Sequence, residues 1–80
     1  MNLQDLHLEA KQINNRNIVS VSEISINHNE IEIFEINTKN NTLTVCGFDG
    51  EFAILDEMIG AEYEIENINE LSNLINKFKL

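Results

Sequence analysis

Residues 42–55 read TLTVCGFDGEFAIL and decide the fold. Both halves of this stretch are rich in the β-branched and aromatic residues that favour strands. Asp49-Gly50 separates them, and Asp-Gly suits the positive φ angles of a two-residue hairpin turn. Because so short a connection forces antiparallel neighbours, the sequence predicts that Thr42–Phe48 and Glu51–Leu55 pair as a hairpin.

Strand patterns extend on both sides of this hairpin. Upstream, Ile18–Ile26 and Ile31–Asn37 are rich in isoleucine and valine, and asparagine-rich turns at 27–29 and 39–41 follow them. Downstream, Ala61–Glu66 alternates, with Tyr63 and Ile65 on one face and three glutamates on the other. This order predicts an antiparallel meander of four or five strands, with Ala61–Glu66 as an edge strand.

Helical spacing is found only at the two ends of the chain. The N-terminal apolar stripe consists of Leu3, Leu6, Ala10 and Ile13, and the C-terminal stripe consists of Ile68, Leu71, Leu74, Ile75 and Phe78. Asn2 is the expected N-cap of the first helix, and Asn67 or Asn69 is the expected N-cap of the second. Lys77 and Lys79 suit the C-terminus of the second helix, where cations are favoured. The chain has no proline and no linker, so residues 1–80 are expected to form a single α+β domain, with both helices packed on the sheet.

Composition limits the classes of protein to be considered. Cys46 is the only cysteine, which excludes a disulfide within the chain and fits a reducing compartment. Asp5 stands where a signal peptide would need basic and then apolar residues, and Phe52–Leu55 is too short a run to span a membrane. We expect a cytoplasmic protein without a membrane segment.

Catalytic arrangements are absent from the sequence. Cys46 lies in the middle of a predicted strand, where a packing role is expected, and no basic residue nearby would activate its thiol. His7 and His28 are expected to be solvated surface residues, and with one cysteine they make no zinc-binding spacing. We therefore expect no enzymatic activity, no metal and no cofactor.

The distribution of charge is the main functional signal. The chain has 14 Asp and Glu against 5 Lys and Arg, and no Lys or Arg stands between Asn40 and Asn76. Eight acids lie in that interval, namely Asp49, Glu51, Asp56, Glu57, Glu62, Glu64, Glu66 and Glu70. A surface without other constraints usually mixes the signs of its charges, because neighbouring like charges repel. These eight residues are therefore the predicted partner-binding surface.

Three of these acids would form a regular row. Alternate residues of a strand are roughly 6.6 Å apart, so Glu62, Glu64 and Glu66 resemble a nucleic-acid backbone in sign and approximately in spacing. The predicted partner is therefore a basic nucleic-acid-binding protein. Direct binding of nucleic acid is not expected, because five cations cannot neutralise a track of phosphates.

The same charges are also compatible with roles that involve no basic partner. A charged edge strand resists edge-to-edge aggregation, and net acidity can simply maintain the solubility of an interaction subunit. An acidic edge strand would also repel a copy of itself, so a monomer is expected.

The opening of the chain carries a resemblance. Met1-Asn2, Asp5-Leu6, Glu9 and Lys11 look like the start of small, acidic phage anti-CRISPR proteins, inhibitors of RNA-guided nucleases, and the order helix–antiparallel sheet–helix is similar too. The resemblance implies a DNA mimic that occupies the positively charged surface of a CRISPR effector. It does not extend to contact residues, and the eight acids are chosen on charge alone. The alternative is an immunity protein or antitoxin that neutralises a basic toxin nuclease.

Overall fold

The Asp49-Gly50 turn organises the sheet as the sequence predicts. In the computed structural model, which describes residues 1–77, both turn residues have left-handed backbone angles, with φ of 52° and 80°. The strands on either side pair antiparallel from Phe48 and Glu51 at the turn to Leu43 and Asp56 at the far end. The elements are, in chain order, α1 (Leu3–Gln12), β1 (Ile18–Val21), β2 (Ser25–Ile26), β3 (Glu32–Thr38), β4 (Thr42–Phe48), β5 (Glu51–Asp56), β6 (Ala61–Ile65) and α2 (Glu70–Ile75).

The sheet is an antiparallel meander, which confirms the predicted α+β architecture. Its order is β1-β3-β4-β5-β6, and β2 pairs with β3 beside β1, so it has six strands rather than four or five. Strand β6 lies at one edge, as predicted. Strand β3 keeps a continuous register with β4, from Glu32 opposite Gly47 to Asn37 opposite Thr42.

The segment Ile18–Ile26 forms two short strands instead of the single strand predicted. At the break, the Ser22 carbonyl lies 2.8 Å from His7 Nε2, on α1, rather than pairing with β3. The Ser22 hydroxyl takes its place and accepts a hydrogen bond from the Glu35 backbone N–H at 2.8 Å. His7 also packs edge-on against the Phe34 ring, 5.0 Å away, and is buried. The expectation that His7 is a solvated surface residue is therefore wrong.

One face of the sheet carries the core. Alternate strand residues point toward the helices, and those of β3, β4 and β5 are almost fully buried: Phe34, Ile36, Leu43, Val45 and Ile54. Leu3, Leu6 and Ala10 of α1 and Leu71, Leu74 and Ile75 of α2 complete this core. The sequence predicts that both helices pack on the sheet, and in the structure one sheet face buries both of their apolar stripes.

The helix ends follow the local sequence only in part. Asn2 caps α1 through a reciprocal capping box with Asp5, as expected. Asn69 stands at the N-cap of α2 without a side-chain hydrogen bond, while the Asn67 amide donates to the Glu70 carboxylate at 2.9 Å. The predicted roles of Phe78 and Lys79 lie outside the described residues. Within residues 1–77, neither helix has the length and apolar character that a membrane crossing requires.

Candidate binding surface on the open face of the sheet

The second face of the sheet has no helix on it within the described part of the chain. We call it the open face and define it by the side chains that alternate with the core residues of β3 to β6. They are Ile33, Glu35, Thr44, Cys46, Phe48, Glu51, Ala53, Leu55, Glu62 and Glu64. Each of them is half-buried or exposed, whereas the neighbouring core residues on β3 to β5 are buried. The sheet therefore has one sealed face and one accessible face.

Cross-strand pairing arranges the open face into rows. One row runs Ile33, Cys46, Ala53 and Glu64, and the next runs Glu35, Thr44, Leu55 and Glu62. Opposite residues in such rows have Cβ atoms about 5 Å apart, so their side chains are in reach of each other. Both rows end in a glutamate on the edge strand β6 and place small or apolar side chains in the middle.

The first row contributes to a shallow depression of about 520 Å³. Its apolar floor includes Ile31, Cys46, Phe48 and Ala53, and Glu51, Glu62 and Glu64 line it as carboxylates. Phe48 is 54% exposed and borders the same depression. Apolar surface and negative charge therefore meet in one concave site.

The surroundings of Cys46 in this depression shift the pKa of its thiol. Burial raises the pKa of the Cys46 thiol, the nearby negative charge of Glu62 raises it further, and a hydrogen bond with the Ala53 backbone opposes these two effects. Because the thiolate is the nucleophilic form, a raised pKa keeps the sulfur unreactive near neutral pH. The expected packing role of Cys46 is thus consistent with its surroundings, although its side chain is half-buried rather than buried.

The eight predicted acids divide into three groups. Glu51, Glu62 and Glu64 lie together on the open face, and the Glu57 carboxylate reaches it by accepting a hydrogen bond from the Thr44 hydroxyl at 3.0 Å. Asp49 is exposed at the tip of the β4–β5 turn, and Glu66 is exposed just beyond the end of β6. These six are accessible to a partner.

Asp56 and Glu70 have local structural contacts instead. Asp56 is only 4% exposed, and its Oδ1 accepts hydrogen bonds from the Asn41 side-chain amide at 2.8 Å and the Met58 backbone N–H at 3.0 Å. This carboxylate joins the β3–β4 connection to the β5–β6 turn and is not part of the accessible surface. Glu70 begins α2 and is held by Asn67, away from the open face.

Two features of the open face were not predicted from the sequence. Glu35 joins it from β3, outside the interval that lacks cations, because pairing with Thr44 places it at the β3 end of the row that continues through Leu55 to Glu62. The apolar floor is the second feature, because the sequence predicts only that Cys46 and Ala53 lie in strands and not that they adjoin on one face. The alternation of Leu43 and Val45 with Thr44 and Cys46 was the available signal, because it assigns the two sets to opposite faces.

Within residues 1–77, the acids of the open face form no ion pair. Across residues 1–77, one ion pair is formed, between Lys11 and Glu23 at 3.8 Å, and neither residue belongs to the open face. Lys77, the described cation that follows α2, lies over the Tyr63 ring, 5.6 Å from its centroid. Mutual repulsion among Glu51, Glu62 and Glu64 is therefore not offset by ion pairs within the described residues.

The described residues also contain no group of three or more His, Cys, Asp or Glu side chains placed to hold a metal ion. No protein-family model matches the chain, and no curated protein or solved structure gives a significant match. The geometry and charge of the open face are therefore the basis for a functional proposal.

Proposed function

We propose that this protein is an acidic inhibitor that occupies the basic nucleic-acid-binding surface of a nuclease and excludes nucleic acid by mimicking it. A CRISPR effector is the first partner to test, because the opening of the chain resembles phage anti-CRISPR proteins. In this proposal the protein acts in the cytoplasm as a monomer, without catalysis, metal or cofactor.

The observation that carries the proposal is the uncompensated charge on the open face. Glu62 and Glu64 are exposed, stand on an edge strand, and have no ion-pair partner among residues 1–77. A basic partner surface would relieve their repulsion, whereas solvent alone only screens it. Their negative sign is the one that a phosphate-binding cleft recognises, and alternate residues of a strand stand roughly 6.6 Å apart.

The overall charge supports the same mechanism. A net charge of −9 on 80 residues attracts a basic surface at a distance, which speeds association and makes it sensitive to salt. Occupancy of the cleft then competes directly with target DNA. A complex formed with DNA first should resist the inhibitor, and a complex formed with the inhibitor first should resist DNA.

The proposal is tested by measuring binding to purified CRISPR effectors, with and without guide RNA, between about 50 and about 200 mM salt. We expect binding that weakens with salt. Reversal of two charges, Glu62→Lys with Glu64→Lys, should weaken it by at least about tenfold, since each lysine replaces attraction with repulsion. The matched control is Glu9→Lys with Glu23→Lys, which changes net charge equally outside the open face and should change affinity much less.

Absence of binding to every effector at low salt would overturn the CRISPR assignment. Toxin nucleases are included in the same panel, because an immunity protein or antitoxin would present the same charge to a basic nuclease. Selective binding to a toxin nuclease, lost in the Glu62→Lys, Glu64→Lys variant, would move the protein to that class. Equal loss in both reversal variants would show that net charge, and not the open face, determines binding.

A further inference from the structure

The depression on the open face has a composition that charge mimicry alone does not require. A phosphate mimic needs carboxylates, yet the floor between Glu51, Glu62 and Glu64 is made of apolar side chains such as Cys46 and Ala53. Phosphate mimicry gives no reason to leave Phe48 half-exposed beside them. Apolar side chains and carboxylates within one concave site match a partner side chain that has an apolar stem and a cationic end.

We infer that the open face accepts an arginine-rich, amphipathic segment of a partner protein, with an arginine side chain lying across the Cys46–Ala53 floor and its guanidinium at Glu62 and Glu64. The inference rests on the proposed function, of which it specifies the contact. We call the carboxylates of Glu51, Glu62 and Glu64 the rim. The floor and the rim are one strand spacing apart, about 4.8 Å, since Ala53 lies directly opposite Glu64. A long basic side chain can therefore cover the first while it reaches the second.

Arginine suits this site better than a compact cation. Its aliphatic stem covers apolar surface while the charged end stays at the polar rim. Its planar guanidinium is weakly hydrated, pairs with carboxylates through two hydrogen bonds and stacks on aromatic faces. The Glu62 and Glu64 carboxylates offer the first kind of contact and the exposed Phe48 ring offers the second.

The charge of the site excludes the other occupants. A second copy would bring another net charge of −9 and a second set of rim glutamates against the first. Nucleic acid and anionic lipid headgroups carry the same sign as the rim and would be repelled. Only a cationic partner with apolar surface matches both the rim and the floor.

This arrangement predicts that binding has one component that salt screens and another that it does not. The rim contributes ion pairs, which weaken as ionic strength rises. The floor contributes apolar burial, which salt does not screen. A partner that bound only through charge would lose nearly all its affinity at high salt, whereas an amphipathic basic partner would keep part of it.

Two synthetic peptides of equal charge test the inference without any nuclease. One is an amphipathic helix of arginine and leucine, and the other replaces leucine with glycine and serine. Binding to the intact protein is followed by protection of Cys46 from alkylation at mildly alkaline pH, because Cys46 is the only thiol and lies in the floor. At a concentration of ten times its Kd, the amphipathic peptide should slow alkylation about tenfold.

Two variants separate floor from rim. Ala53→Ser makes the floor more polar at nearly the same size and keeps Cys46 as the reporter. This change should reduce the preference for the amphipathic peptide at high salt. Glu62→Gln with Glu64→Gln should weaken both peptides at low salt alike. Circular dichroism and thermal unfolding show that each variant is folded.

The inference is overturned if both peptides bind equally and lose affinity with salt in parallel, or if neither protects Cys46. Its outcome is separable from that of the proposed function. Protection of Cys46 by the amphipathic peptide, together with no binding to any nuclease, would leave the docking site in place and reject the inhibitor role. Nuclease binding without protection of Cys46 by either peptide would support the inhibitor role and reject the docking site.

Discussion

The two faces of the same sheet differ in what covers them and in what they expose. On β4, Leu43 and Val45 point into the core with no exposed surface, while Thr44 and Cys46 between them are half-buried on the open face. Two helices seal the first face. The second face has apolar side chains in the middle and, along the β6 edge, glutamates that form no ion pair with any of residues 1–77.

This difference separates the residues that stabilise the fold from those available for binding. Apolar burial stabilises in proportion to the area removed from water, so most of the stability comes from the helix-covered face. The open face adds little burial and includes like charges that oppose folding slightly. Substitutions on it should therefore change partner binding at a small cost in stability, and pairs of neighbouring residues on the two faces test this division.

The largest effect is expected from truncating a core aromatic ring. Phe34→Ala removes a fully buried side chain that contacts the His7 ring, and it should lower the free energy of unfolding by about 3–5 kcal/mol. The neighbouring Ile33→Ala, on the open face, should cost about 1 kcal/mol because Ile33 is only half-buried. Urea unfolding measures both. The free energy of unfolding of a domain of this size is roughly 4–12 kcal/mol, so the Phe34 variant should lose a large fraction of it. Similar losses for the two variants would contradict the division between the two faces.

A smaller loss is expected at the one glycine that packs in the core. A Cβ at Gly47 would lie 2.8 Å from two ring carbons of Phe52, its partner on β5. Gly47→Ala should therefore destabilise by about 1–3 kcal/mol through overpacking. Cys46→Ala, one residue earlier on the open face, is the control and should cost less than about 1 kcal/mol. Thermal unfolding compares the pair, and equal melting temperatures would show that the Phe52 ring moves aside freely.

A loss of similar or smaller size should distinguish the buried acid from its exposed neighbour. Asp56→Ala leaves the Asn41 amide and the Met58 backbone N–H without their acceptor, at a cost of about 1–3 kcal/mol. Glu57→Ala removes one surface hydrogen bond from Thr44 and should stay within about 0.5 kcal/mol of the parent protein. Chemical denaturation of both variants is the measurement. If the Asp56 variant is as stable as the parent but loses partner binding, Asp56 belongs with the binding residues after all.

The smallest expected effect is on the Cys46 thiol. Its pKa is raised in the folded protein above an ordinary value of 9.0, so the resulting stabilisation is fully present below that value and is lost as the pH rises through the folded-state pKa. Alkaline pH should therefore destabilise the parent protein more than Cys46→Ala.

The same thiol tests whether Glu62 acts on the depression. Glu62→Gln removes a negative charge that raises the Cys46 pKa, so alkylation of Cys46 at mildly alkaline pH should become faster. The control is Glu51→Gln, which removes another rim carboxylate that is not among the causes of the raised Cys46 pKa. An alkylation rate unchanged by Glu62→Gln would mean that the two side chains do not interact as the structure places them.

The strands and helices could be predicted because each is specified by its own residues. The Asp49-Gly50 turn and the apolar segments beside it fix the central hairpin, and the spacing of Leu3, Leu6 and Ala10 defines α1. The break between β1 and β2 could not be predicted in the same way. It depends on the hydrogen bond between His7 and the Ser22 carbonyl, two residues that only the folded chain brings together.

The candidate site was predicted in sign but not in composition. The interval without cations predicts a concentration of acids, because charge is a property of residues and needs no fold. Which acids share a surface depends on strand register, which placed Glu35 in the same row of the open face as Glu62 and left Asp56 buried on the other face. A one-residue change of register would have exchanged the two faces.

The sequence by itself determined the α+β class, the hairpin at its centre and a net charge of −9 whose acids are concentrated in one part of the chain. Local conformation depends on residues close together in sequence, and net charge depends on composition alone, so the sequence specifies both. Only the tertiary structure decided that both helices cover the same face, and that Cys46 and Ala53 form an apolar floor beside Glu62 and Glu64. Those relations join distant segments, since they arise when four strands align side by side and one face of the sheet is left accessible.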